Sequence, residues 1–122
     1  MAYDPDNIFA KILRGEIPCD KVHEDEFALA FNDINPQAPV HVLVIPKGPY
    51  MSSDGFFGQA PEQEIAGFFR AVGQVAGKLG GLDKGYRILA NHGRDAHQEV
   101  PHFHVHIFAG RDLGPMLSQP RD

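Results

Sequence analysis

One cysteine, Cys19, stands among 122 residues, and there is no tryptophan. A single thiol makes no internal disulfide and builds no zinc knuckle, so neither cross-links nor a cysteine-held metal is expected to support the fold. No apolar stretch approaches the ~20 residues needed to span a bilayer. Runs of basic residues are missing, and the formal net charge is −5, which argues against a nucleic-acid backbone as a partner. The opening "MAYDPDNIFAKILRGEIP" lacks the apolar segment of a secretory leader, so a cytoplasmic protein is expected. Repeats and low-complexity tracts are also absent.

What is present suits one domain, 1–122, with one core. Apolar residues make up 43% and charged residues 22%, both ordinary for a globular chain. Asp6 or Asn7 can cap a short helix with the stripe Ile8, Phe9, Ile12 and Leu13, closed by Gly15. "FALAFNDI" and "HVLVIP" read as strands, separated by a "NPQAP" turn whose prolines block continuation. "KGPYMSSDGFFGQ" reads as a loop. Pro61 suits the first position of a long helix whose stripe runs Ile65, Phe68, Phe69, Val72, Val75, Ala76 and Leu79, stopped by Gly80 and Gly81. "YRILA" reads as a short strand, and "NHGRDAHQEVP" as a polar loop leading into "HFHVHIF". One long helix among strands whose connections are too short for parallel crossovers points to an α+β domain with a mainly antiparallel sheet.

The histidines carry the chemistry. With 7 His in the chain, a chance H-x-H-x-H has a probability of roughly 2%. On a strand, His102, His104 and His106 share one face and Phe103, Val105 and Ile107 the other. A solvated strand face is the plainest reading. A metal reading is limited by geometry: Cα atoms four residues apart lie about 13 Å apart, too far for three rings to meet one ion across bonds of about 2 Å. Two rings could bind an ion with help from elsewhere. The third reading is nucleophilic catalysis, in which a neutral middle imidazole attacks phosphorus and its neighbours orient it. This reading uses all three rings, whereas the metal reading wastes one.

"HFHVHIF" resembles the His-x-His-x-His-x-x signature, with apolar residues at x, of the histidine triad (HIT) nucleotide-binding superfamily. "NIFAKILRGEIPCDKVHEDEFALAFNDINPQAPVHVLVIPKG", "GLDKGYRILAN" and "HQEVPHFHVHIFAGRDLGPM" are similar to the Hint-like branch, across nearly the whole chain. The resemblance implies a five-stranded sheet with a short N-terminal helix and one long helix, pairing across a two-fold dimer. It implies hydrolysis of purine nucleoside phosphoramidates, releasing AMP or GMP, with His104 as the nucleophile and no cofactor. His102 and His106 would hold the hydrogen-bond network, and His41 would be a fourth site histidine. Asn91 and Gln98 match residues lining the phosphate subsite, with Glu99 beside them. Asp33 matches the acid that grips the ribose hydroxyls. Ile8, Phe9, Ile12, Phe31, Ile34 and Leu43 match the base pocket. A nucleotide-binding regulator with little turnover, or a dinucleoside polyphosphate hydrolase, is the alternative.

Taken without the resemblance, these residues have plainer roles. Asp33 beside Asn35 and Pro36 caps a turn as readily as it binds a diol. Ile8, Phe9 and Ile12 read as core, and His41 reads as a satisfied strand histidine. His23, His92 and His97 read as surface or loop residues. Gly93 and the N–H groups of its loop could cradle a phosphate. The paired cysteines that hold zinc in some relatives are missing, since Ala10 and Cys19 do not supply them, so no metal is expected. Where many relatives carry Ser or Thr the chain has Glu99, and where glycine is usual it has His97. The carboxylate could repel a phosphate or hand a proton to the leaving amine. Ala66, Gly73 and Gly77 line one flank of the long helix, where small side chains suit a two-fold interface.

Overall fold

The computed structural model describes residues 2–80 and 83–118; Met1, Gly81, Leu82 and the final four residues lie outside the described set. Helix α1, Ile8–Leu13, starts where the Asn7 side chain accepts the Ala10 N–H at 2.9 Å. It ends at Gly15, whose φ of +79° suits a residue without Cβ. Strands β1, Lys21–Glu24, β2, Ala28–Asn32, and β3, Val40–Pro46, follow. Then come helices α2, Ser53–Gln59, and α3, Glu62–Lys78, and strands β4, Arg87–Leu89, and β5, Val105–Ala109. The sheet order is β1-β2-β3-β5-β4, antiparallel throughout, which realises the expected α+β fold.

Strands β2 and β3 are buried on both faces, which is why "ALAF" and "VLVI" read as nearly unbroken apolar runs. Ala28, Ala30, Val42, Val44, Val105 and Ile107 face α3, where they meet Phe68, Ala71, Val72 and Val75. Leu29, Phe31, Leu43 and Ile45 face the other way, toward Phe9 of α1. Two distinct surfaces of one sheet are therefore covered, the first by a long helix and the second by a short one.

Several expectations shift. Residues 53–59 are helical, although the stretch reads as a loop. Phe56 holds α2 in place: it is fully buried, stacks on Phe103 at 5.0 Å and meets Phe68 edge-on at 5.2 Å. Strand β1 is a short edge that no local pattern marks. Pro61 caps α3 from an extended backbone and does not occupy its first turn. The histidine strand begins only at Val105, so His102 and His104 precede it, yet the alternation of sides persists, with Phe103 in the α3 core. Glycines 73 and 77 are exposed on α3, with open space where a Cβ would stand.

Candidate active site

A cavity of about 480 Å³ opens on the α1 face of the sheet, a size typical of small-molecule sites. The apolar part of its lining is formed by Ile8, Phe9, Ile12, Ile17, Phe31, Ile34 and Leu43, and the polar part includes Asp33, Asn91, His97, Glu99, His104 and His106.

The ring protons follow from the partners. The Nδ1 of His104 lies 2.7 Å from the backbone oxygen of His102. A carbonyl only accepts, so Nδ1 carries the hydrogen and the lone pair sits on Nε2. Among the described residues that Nε2 has no partner and no buried side-chain polar atom is left unsatisfied, so it is open to the cavity. Phe9 meets the His104 ring edge-on at 5.1 Å and restricts its rotation.

His41 and His106 sit diagonally across the β3–β5 ladder, where His41 opposes Phe108 and Leu43 opposes His106. The Gln37 N–H donates to His41 Nδ1 at 3.1 Å, which places the His41 hydrogen on Nε2. That hydrogen donates to His106 Nδ1 at 2.9 Å, leaving His106 with its own hydrogen on Nε2. The His104 and His106 rings lie 5.0 Å apart, edge to face. A free lone pair and a free N–H thus stand side by side.

Burial pushes all four imidazoles below their ordinary value. His102 falls to about 4, mainly by desolvation, against the pull of the Pro46 carbonyl. His106 also falls to about 4, by desolvation and then by its histidine neighbours His104 and His41. His104 and His41 are lowered by the same desolvation, and the Asp33 carboxylate opposes it in both. All four rings are therefore neutral at pH 7.

Asp33 caps the turn and also lines the cavity. Its Oδ1 accepts the Asn35 N–H at 2.9 Å as a turn cap, and its Oδ2 lies 3.4 Å from His41 Nε2. Asp33, His41 and His106 bring donor atoms within 4.8 Å of one another, a spacing that could suit a metal ion. The tautomers fit an ion poorly. With its Nδ1 lone pair held by the Gln37 amide, His41 would have to give up the Nε2 hydrogen to ligate.

Gln98 does not line the cavity. Its amide donates to the backbone oxygens of Met51 and Val100 and accepts from Ser52 Oγ and the Gly93 N–H. The Ser52 hydroxyl has given its hydrogen to Gln98, so His92 Nδ1–H donates to it at 2.6 Å. The N–H groups of Gly93, His97 and Gln98 are all spent inside the loop, which leaves none of these three for a phosphate. Gln98 anchors the loop that presents Asn91 and Glu99. His97, read as a surface or loop residue, is exposed on its loop and also contributes to the cavity wall, with φ of +62°, the left-handed region that glycine adopts most readily. Gln37 and Ile17 are lining residues that no motif marks.

This geometry defines a histidine-based site on an α+β sheet, and the chain belongs to the HIT family. The HIT domain model matches residues 14–113. The chain is 66% identical over 117 residues to a 13.2 kDa HIT-like protein of Azospirillum brasilense, covering 96% of each. It is 40% identical over 113 residues to the purine nucleoside phosphoramidase of Escherichia coli K12, covering 93% of this chain and 94% of that one. A HIT family hydrolase from Clostridium thermocellum superposes with a TM-score of 0.84 at 39% identity, over 93% of this chain and 97% of that one.

Proposed function

We propose that this protein is a hydrolase that cleaves the phosphorus–nitrogen bond of purine nucleoside phosphoramidates through a nucleotidyl intermediate on His104. The reading rests on one observation: His104 Nε2 is an unprotonated, partner-free imidazole nitrogen facing a partly apolar cavity. The similarity to a phosphoramidase of Escherichia coli supports it.

In this mechanism the purine packs against the apolar part of the lining and Asp33 Oδ2 accepts from the ribose hydroxyls. The Nε2 lone pair attacks the α-phosphorus, and the phosphorus–nitrogen bond to the amine breaks. The His102 carbonyl, already bonded to Nδ1–H, stabilises the positive charge that develops on the ring. His106 Nε2–H donates to a phosphoryl oxygen, and the amine leaves with a proton taken from solvent water in the cavity. Water then attacks phosphorus and gives one proton back to that solvent, the bond to Nε2 breaks, and nucleoside monophosphate departs with the lone pair restored to His104. No step requires a metal ion. The two-fold dimer is proposed on the exposed Ala66, Gly73 and Gly77 flank of α3.

The test is a turnover screen of adenosine and guanosine phosphoramidates against dinucleoside polyphosphates, with acid-quenched mass spectrometry. The expected result is amine release from phosphoramidates and a nucleotidyl adduct on His104. His104→Ala should retain its fold and nucleotide binding and lose at least ~10³-fold in kcat. Tight binding of AMP without turnover would make the protein a nucleotide-binding regulator instead, and preference for the polyphosphates would move it to that branch of activity.

A further inference from the structure

The segment before α1 reaches the histidine triad. The Tyr3 hydroxyl lies 2.6 Å from His102 Nδ1, and the two rings meet edge-on at 5.6 Å. His102 has no exposed surface, and its Nε2 lies 3.0 Å from the Pro46 carbonyl oxygen. That carbonyl requires a hydrogen on Nε2, so Nδ1 holds a lone pair and the Tyr3 hydroxyl is the donor. Both nitrogens of the His102 ring are thereby occupied, and the ring has one orientation.

His102 does not line the cavity; its backbone does the work. The His102 carbonyl receives the Nδ1–H of His104, and the His102 N–H is tied to the Val100 oxygen at 2.9 Å. A ring anchored at two points fixes the peptide that carries this carbonyl. The carbonyl in turn aims the His104 lone pair. The segment bearing Tyr3 is itself pinned: the Asn7 side-chain amide donates to the Asp4 oxygen at 2.7 Å, and Arg14 donates to the Pro5 oxygen at 2.8 Å.

We infer that Tyr3 is a positioning residue for the His104 nucleophile, acting through the tautomer and orientation of His102. The inference rests on the role given to His104 above. It assigns a function to a residue before α1 that touches neither the cavity nor the nucleophile.

The experiment compares the full-length protein with Tyr3→Phe, which keeps the ring and removes the donor. Long-range proton–nitrogen NMR spectra report the tautomer of each histidine. The expected result is a His102 Nδ1 resonance that shifts toward that of an unbonded lone pair, with a secondary shift at His104 Nδ1. Loss of one hydrogen bond should lower kcat on a phosphoramidate roughly three- to tenfold while KM stays within about twofold. Tyr3→Leu, which also removes the ring contact, should lower kcat at least as far. An unchanged His104 signal with unchanged kcat overturns the inference. A rise in KM alone overturns it too, because it assigns Tyr3 to the pocket wall. If the unmutated protein turns over no phosphoramidate, the proposed function fails, and the NMR shift at His104 still decides whether Tyr3 positions that ring.

Discussion

Asp33 divides its carboxylate between a turn and the cavity, so Asp33→Ala tests both jobs at once. Hydrogen bonds to a charged acceptor are worth about 1.5–3 kcal/mol, so ribonucleotide affinity should drop roughly ten- to a hundredfold, and 2′-deoxyribonucleotide affinity far less. Calorimetric titration of both sugars makes the comparison; equal losses would leave Asp33 with the turn alone. The same variant should move the acid limb of kcat/KM to lower pH. Asp33 opposes the desolvation that holds His104 below 6.5, and removing it lets desolvation act unopposed by that charge. The spacing of three histidines is enough to nominate His104, because alternation is a local property of an extended chain. The positions of the ring protons are not legible in it. They are set by Pro46 and Tyr3, whose contacts with His102 span 56 and 99 residues of chain, and by Gln37, whose amide nothing in the sequence marks. That amide does not ionise under ordinary conditions, so the Gln37 end of the His41–His106 pair neither gives nor takes a proton.

Among the elements, α3 was the easiest to read and α2 the hardest. The α3 stripe repeats at the helical period for 17 residues, which a short range of sequence displays in full. α2 has two glycines in seven residues and forms because Phe56 finds Phe103 and Phe68, contacts that lie outside any local window. β1 has four residues and an alternation too brief to register. Gly67 on α3 records another long-range demand. A Cβ there would stand 2.2 Å from the Phe27 ring, so the helix approaches the start of β2 only without one. Gly67→Ala should destabilise the protein by about 1–3 kcal/mol through overpacking. Gly58→Ala on α2, where a Cβ meets open space, should be neutral or stabilising by up to about 1 kcal/mol. Urea titration with an unchanged slope and shifted midpoints would verify the pair; a neutral Gly67→Ala would show that the Phe27 ring yields freely.

At the scale of the whole molecule, the buried imidazoles make stability depend on pH. In the unfolded chain each histidine takes up a proton near 6.5, whereas folded His102 and His106 resist until about 4. Between these values the unfolded state binds more protons, so stability is full above about 6.5 and falls as pH drops toward 4. The loss should be on the order of 3 kcal/mol for each of these two rings and should be absent above neutrality; melting temperatures from pH 4 to 8 would reveal it, and a flat profile would contradict the neutral burial of the triad. Light scattering should give a dimer, and Gly73→Leu should dissociate it; a monomer for the natural sequence would remove the interface. The two-sided burial of the sheet sorts the chain by parity. On β3, positions 41, 43 and 45 face the ligand side and 42 and 44 the α3 core; on β5, 106 faces the ligand side and 105 and 107 the core. Even and odd substitutions along one strand thus answer to different masters, one set read out by binding and turnover and the other by folding. A single-residue deletion within β3 would exchange the two sets on one side of the cut, turning core side chains toward the cavity and cavity-side ones toward α3.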